Sequence, residues 1–285
     1  MYWLASYPKS GNTWFRVFIS NLLSSESAAV SINALIPLGQ ANSRDGIDAV
    51  LGFCSGDLYQ DEMQALRPSV YAWQQKNLTN TCYMKTHDAC ERVASGDLVI
   101  CQQATAGALY LIRNPLDIAV SYANHRSCSV DSAIDCLNDP HHCLAEHDST
   151  KQKKQIEQRL LSWSMHVESW LDTPEVETML VRYEDMLATP QETFTKAAAF
   201  LRLPTDRDTI NQAIRNSSFQ GLRKQEESSP FRERPPRVSR FFRSGSAGGW
   251  RTDLSTKQVD RIIREHESVM HRFGYLDDKG NPTLF

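Results

Sequence analysis

The sequence predicts an α/β fold, with a mostly parallel central sheet flanked by helices, and three observations carry that expectation. Short apolar runs at Tyr2 to Tyr7, Thr81 to Thr86, Leu109 to Ile112 and Met179 to Tyr183 have the length of strands. Helical runs follow three of them, from Thr13 to Leu23, from near Leu116, and from Pro190 to Leu201. Apolar strands alternating with helices build a parallel sheet covered on both faces.

The first run stops at Pro8-Lys9-Ser10-Gly11-Asn12, which reads as strand, tight loop, helix. Residues 24–80 mix Ser, Gly and Asn with helical patches such as Asp61 to Leu66, and Pro68 is expected to break the pattern there. The strand at Leu109 closes on Arg113-Asn114-Pro115. Gln225 to Gly249, rich in Ser, Pro, Arg and Gly, reads as a long loop whose length suggests function. With 285 residues, 41% hydrophobic and without internal repeats, the chain is expected to form a single domain, 1–285, with insertions at about 24–80 and 123–160.

A formal charge of -3 argues against a nucleic-acid partner. No run approaches the ~20 apolar residues of a membrane span, and the N-terminus lacks the pattern of a signal peptide, so a cytoplasmic protein without a membrane partner is expected. Locally the balance reverses. Between Arg223 and Arg251 stand eight basic residues against three acidic ones, and such a segment wants an anion. The seven cysteines form an odd set without CxxC pairs and read mostly as reduced thiols. His125, Cys128, Cys136, His141, His142, Cys143 and His147 crowd into one segment, but their spacing fits no usual zinc template. Free thiols in an insertion is the favoured reading there, with a metal site or a disulfide as alternatives.

The loop at 7–14 has the makings of an anion site. Gly11 permits close backbone approach, the following helix offers its free N–H groups and positive dipole end, Lys9 adds a charge, and Ser10 and Thr13 add hydroxyls. A kinase-type loop needs glycine directly before the lysine, where this chain has Pro8, so a nucleotide kinase-like phosphotransferase is the weaker reading.

Four segments in order, PKSGNTW (8–14), YLIRNPLDIAVSY (110–122), RYEDML (182–187) and FFRSGSAGGWR (241–251), resemble the sulfotransferases that use 3'-phosphoadenosine-5'-phosphosulfate (PAPS) and release PAP. The resemblance implies the P-loop-like sulfotransferase fold and a reaction that needs no metal. It implies that Lys9, Ser10, Gly11, Asn12, Thr13 and Trp14 hold the phosphosulfate end. Arg113, Ser121, Arg243, Ser244 and Gly245 would hold the 3'-phosphate, with Ser244 standing where the family usually has lysine. Trp14, Tyr183, Ser218 and Phe219 would touch the adenosine, the last two within Asn216-Ser217-Ser218-Phe219. Met84-Lys85-Thr86-His87 resembles the family's KTH motif, so His87 is expected as general base and Lys85 and Lys9 as charge stabilisers, with Ser121 restraining Lys9 until acceptor arrives.

The implied reaction transfers a sulfuryl group to a hydroxyl or amine of a small-molecule acceptor. The PKSGNTW form looks most like bacterial enzymes that tailor secondary metabolites. Acceptor identity resides in 24–80 and 123–160, where likeness is least. A non-catalytic PAPS-binding module is disfavoured because Lys9 and His87 are both present. The dimerisation motif of the animal enzymes is not evident, and the sequence sets no expectation for oligomeric state.

Overall fold

The computed structural model describes residues 1–35, 39–146 and 153–283. Along the chain the elements are β1 (Tyr2–Ser6), α1 (Asn12–Leu22), β2 (Gly39–Gln40), α2 (Arg44–Leu51), α3 (Gln60–Lys76), β3 (Tyr83–Thr86), β4 (Gly107–Ile112), α4 (Pro115–Arg126), α5 (Val130–Asn138), β5 (Cys143–Leu144), β6 (Gln158–Arg159), α6 (Trp163–Leu171) and β7 (Thr178–Arg182). The rest is helical: α7 (Tyr183–Ala188), α8 (Pro190–Phe200), α9 (Arg207–Asn216), α10 (Phe219–Ser228), α11 (Trp250–Asp253) and α12 (Thr256–Arg272). The chain divides into two compact units, one of Met1–Tyr7, Leu38–Tyr110 and Asp139–Leu180, the other of Pro8–Pro37, Leu111–Asn138 and Val181–Phe285.

The sheet has the order β2-β3-β1-β4-β7, and the four expected strands are all in it. In the first unit β1 and β2 each pair parallel with β3, Ala5 lying opposite Thr86, so Ser6 and His87 leave the sheet at the same edge. β1 carries YWLAS, buried throughout, as a strand covered on both faces requires. Trp3, Tyr71, Tyr110, Trp163 and Trp170 are among the large fully buried side chains of this unit. Trp3 meets Tyr71 edge-on, with ring centroids 5.1 Å apart.

Pro68 does not break the helical pattern, contrary to the sequence expectation. It lies buried inside α3, which runs on to Lys76. The proline removes one backbone hydrogen bond, but α3 is anchored on either side of it. Arg67 places two nitrogens on the Asp88 carboxylate at 2.9 and 2.6 Å and Nε on Tyr71 Oη at 3.0 Å, while Tyr71 donates to Ala41 O at 2.8 Å.

In the second unit α1 packs on α9, α8 on α9, and α4 on α5, while α12 lies against α4 and α5. Asn114 caps α4 by accepting the Leu116 N–H, and Pro115 takes the first helical position, where its missing N–H costs nothing. The long loop starts later than expected, because α10 continues to Ser228. Gln225 and Glu226 have tertiary partners that hold them helical: Gln225 Oε1 accepts the Ile32 N–H, and the Glu226 carboxylate accepts the N–H groups of Phe241 and Phe242 at 2.7 and 2.9 Å. The loop itself is nailed down by Phe231 and Phe242, which join Val17, Ile32 and Leu222 in a buried cluster, and by Glu233, which receives both terminal nitrogens of buried Arg16.

Removing Arg67 leaves the buried Asp88 carboxylate unpaired. Arg67→Met is expected to cost ~3–5 kcal/mol in urea unfolding, and adding Asp88→Asn to recover part of that loss; additive losses would show that the pair is not coupled.

Candidate active site

In the first unit, the expected KTH residues sit at the end of β3, with Lys85 and His87 half-buried. His87 Nδ1 lies 2.7 Å from Ser6 O and 3.3 Å from Ser6 Oγ. A backbone carbonyl only accepts, so Nδ1 carries the proton and Nε2 the lone pair, the tautomer a general base needs. The His87 N–H donates to Gln158 Oε1 at 3.2 Å, and His166 Nε2 lies 3.0 Å from His87 O. The next residue is held as firmly, because Trp170 Nε1 donates to Asp88 O at 2.9 Å and Thr86 Oγ1 to the Asp88 carboxylate at 2.9 Å.

In the second unit the loop after β1 bends through two left-handed residues, Lys9 at φ 73 and Gly11 at φ 99. Gly11 caps α1, and a Cβ there would stand 2.7 Å from the Tyr183 ring, so both the backbone angle and the space require glycine. The first turn of α1 holds no acidic side chain to compete for its N–H groups, and Ser10 Oγ is buried without a hydrogen-bond partner. Lys9 Nζ lies 3.5 Å from His125 Nδ1 and 4.3 Å above the Phe241 ring. His125 stands one turn beyond the half-buried Ser121 on α4.

Arg113 joins the motifs. It is 9% exposed; Nη1 donates to Lys9 O and Nη2 to Ser246 O, both at 3.1 Å, the guanidinium lies 4.2 Å above the Tyr183 ring, and Nε is buried without a partner. Tyr183 in turn meets Trp14 edge-on at 5.7 Å, and Trp14 Nε1 donates to Ser217 O at 2.9 Å, next to Ser218. Phe219 packs on Gly245, where φ is 65 and a Cβ would come within 2.2 Å of the ring. Ser244 and Ser246 share a hydroxyl hydrogen bond. The structure therefore brings together Lys9, Ser10, Gly11, Trp14, Arg113, Tyr183, Phe219 and Gly245. Asn12 and Thr13 open α1 beside them, whereas Arg243 turns to Asp253 at 3.6 Å.

Three carboxylates that serve these loops escaped sequence reasoning, although two lie inside the quoted motifs. Asp117 accepts the N–H groups of Gly248 and Trp250 at 2.7 and 3.1 Å, clasping the C-terminal loop to α4. Glu184 accepts the Asn114 N–H at 3.0 Å and the Tyr275 hydroxyl at 3.1 Å; burial pushes its carboxyl up, and the Asn114 amide partly offsets that. Glu226 is the third. Their motifs were visible, but partners up to 133 residues away were not.

None of the seven cysteines forms a disulfide, Cys54 and Cys128 are exposed, and burial pushes Cys90 and Cys143 up to about 12. Among the described residues no group of three or more His, Cys, Asp or Glu side chains is arranged to hold a metal ion, and none of their helices is long and apolar enough to cross a membrane. His147 lies outside the described residues.

The sulfotransferase domain family matches residues 1–274, and the chain belongs to it. It is 25% identical to sulfotransferase 1A1 of Canis lupus familiaris over 58% of this chain and 55% of that protein, and 26% identical to sulfotransferase 2A2 of Mus musculus over 59% and 58%. The chain thus spans less than two thirds of these relatives. Sulfotransferase 1B1 of Canis lupus familiaris matches further, 24% identical over 91% of this chain and 79% of that one. Among solved structures, mouse sulfotransferase SULT7A1 complexed with PAP superposes with TM-score 0.59 at 18% identity, covering 98% of this chain and 86% of the other. Retinol dehydratase in complex with androsterone and inactive PAP gives 0.62 at 17% identity, covering 94% and 80%. These likenesses establish the P-loop-like sulfotransferase fold.

Burial holds two histidines neutral, His166 and His266, each with its pKa pushed down from 6.5 to about 4. The unfolded chain takes up protons below about pH 6.5, whereas the folded chain does so only near pH 4. Their stabilisation is complete above that window and is lost as pH falls through it, by up to ~3 kcal/mol per histidine. The urea midpoint is expected to drop between pH 6.5 and 4, less steeply in His266→Leu; parallel slopes would remove His266 from the acid response.

Proposed function

We propose that this chain transfers the sulfuryl group of PAPS to a hydroxyl or amine of a small-molecule acceptor, with His87 as general base. The observation that supports it most is the convergence on Arg113 of the loop at Lys9, the Tyr183 ring and the C-terminal loop at Ser246. Two buried polar atoms in that patch, Ser10 Oγ and Arg113 Nε, lack partners, and a buried unpaired group costs ~1–3 kcal/mol. An anion with several acceptor oxygens satisfies both, so the residues fit a phosphoadenosine ligand.

Lys9, Ser10 to Thr13 and the first amides of α1 would hold the phosphosulfate end, and Arg113, Ser121, Arg243, Ser244 and Gly245 the 3'-phosphate. Trp14, Tyr183, Ser218 and Phe219 would bound the adenosine. Bound PAPS supplies a sulfuryl group on a phosphate leaving group. His87 Nε2 takes the acceptor's proton, while Lys9, with Lys85 assisting, stabilises negative charge on the departing oxygen. The acceptor in this reading is a small secondary metabolite, because the PKSGNTW loop resembles that of the bacterial enzymes that tailor such compounds.

Calorimetry with PAP and AMP tests the nucleotide assignment. Wild type is expected to prefer PAP strongly, and Arg113→Ala to weaken PAP far more than AMP; equal affinities in wild type would sink the assignment. For the chemistry, Lys9→Ala is expected to lower turnover ~10²–10³-fold with little change in PAP affinity. Turnover near the wild-type rate would remove Lys9 from the mechanism.

A further inference from the structure

We infer that His166 is the positioning residue for His87, at the centre of a buried hydrogen-bond relay that ties the base to the residue from which the anion-binding loop departs. The inference rests on the reading of His87 as base and names a second histidine on which that base depends.

His166 lies on α6 with no exposed surface. Its Nε2 is 3.0 Å from His87 O, and since a carbonyl only accepts, Nε2 carries the hydrogen. Nδ1 then holds a lone pair, and the Tyr110 hydroxyl, 2.8 Å away, donates to it. The Tyr110 oxygen is in turn hydrogen-bonded to the backbone of Tyr7, where only the N–H can donate. An unbroken run leads from Tyr7, next to Pro8 at the head of the loop, through two side chains to the backbone of the base. Each ring nitrogen of His166 has a fixed role, one donating and one accepting. Desolvation keeps the ring neutral, so those roles persist throughout the pH range in which a base near neutrality works.

The geometry at His87 shows what the relay secures. Ser6 O holds the ring at Nδ1, Gln158 holds the backbone N–H, and His166 holds the backbone carbonyl. Ring, amide and carbonyl each have an anchor. Losing the carbonyl anchor leaves the peptide after His87 held on its other side alone, where the Asp88 N–H donates to Thr86 Oγ1 at 3.0 Å, and the one-sided hold lets that peptide tilt and shift Nε2 relative to the acceptor. A misplacement of about 1 Å can cost ~10²-fold in rate.

General-base catalysis matters most for an acceptor with a high pKa and least for one already acidic. A positioning role therefore predicts losses that depend on acceptor pKa, whereas loosening of the core lowers all acceptors alike. His166→Leu is expected to slow sulfuryl transfer to an aliphatic alcohol by ~10- to 100-fold and to a nitrophenol by only a few fold, with PAP affinity within about twofold of wild type. His166→Gln, whose side-chain amide can still donate to His87 O, is expected to recover most of the alcohol rate. Tyr110→Phe, which keeps the ring and drops the hydroxyl, should lie between them. Equal losses for alcohol and nitrophenol, or a His166→Leu protein that loses thermal stability but keeps its alcohol rate, would overturn the inference. If His166→Leu does not fold, the comparison is made between His166→Gln and Tyr110→Phe. His87→Ala, run beside them, tests the underlying reading: wild-type rates with every acceptor would overturn the base assignment and this inference together. A pKa-dependent loss in His87→Ala without one in the His166 and Tyr110 variants overturns only the relay.

Discussion

A guanidinium almost sealed from water sets the terms for the second unit. Taking a cation out of water costs several kcal/mol unless neighbours replace the hydration. Arg113 recovers part of that through the carbonyls of Lys9 and Ser246 and the face of Tyr183. Carbonyl oxygens and a ring supply dipoles and a quadrupole, and no ion pair completes the set among the described residues. Each partner belongs to a different motif, so meeting the needs of one side chain draws the motifs together. The charge left over is the one that the proposed phosphoadenosine ligand would meet.

The acidic residues of the same unit make that charge available by being occupied elsewhere. Asp117, Glu184 and Glu226 face backbone amides: those of Gly248 and Trp250, of Asn114, and of Phe241 and Phe242. A carboxylate bonded to amide N–H groups fixes a loop as well as one bonded to an arginine, and it leaves the arginine without a direct ion pair. Lys9 follows the same logic with softer partners, an imidazole and a phenyl face, which a cation leaves at small cost when a stronger anion arrives.

Much of this was legible in the sequence because local rules governed it. The strand, loop and helix of residues 2–22, the proline-initiated α4 and the β7 signal all follow from neighbours within a few residues. The four segments of family likeness, which delimit the proposed site, were legible for the same reason. Local rules failed where a distant partner overrode them. Pro68 was expected to end a helix that Asp88 and Ala41 hold together from outside it, and the start of the long loop was misjudged because the partners of Glu226 lie 15 and 16 residues downstream. His166 was invisible for a third reason: a buried histidine within an apolar helix has the sequence signature of packing, and its role comes only from the two atoms it bridges.

The distribution of thiols has a practical consequence. Burial makes Cys90 and Cys143 poor nucleophiles, because the thiolate is the reacting form. Cys54 and Cys128 are the two exposed cysteines, and they fall one in each compact unit. A maleimide dye or nitroxide added briefly to the native protein will favour that pair without any engineered cysteine. The natural chain thus carries two ready-made labelling sites, one reporting on the surroundings of each unit separately as a phosphoadenosine ligand is added.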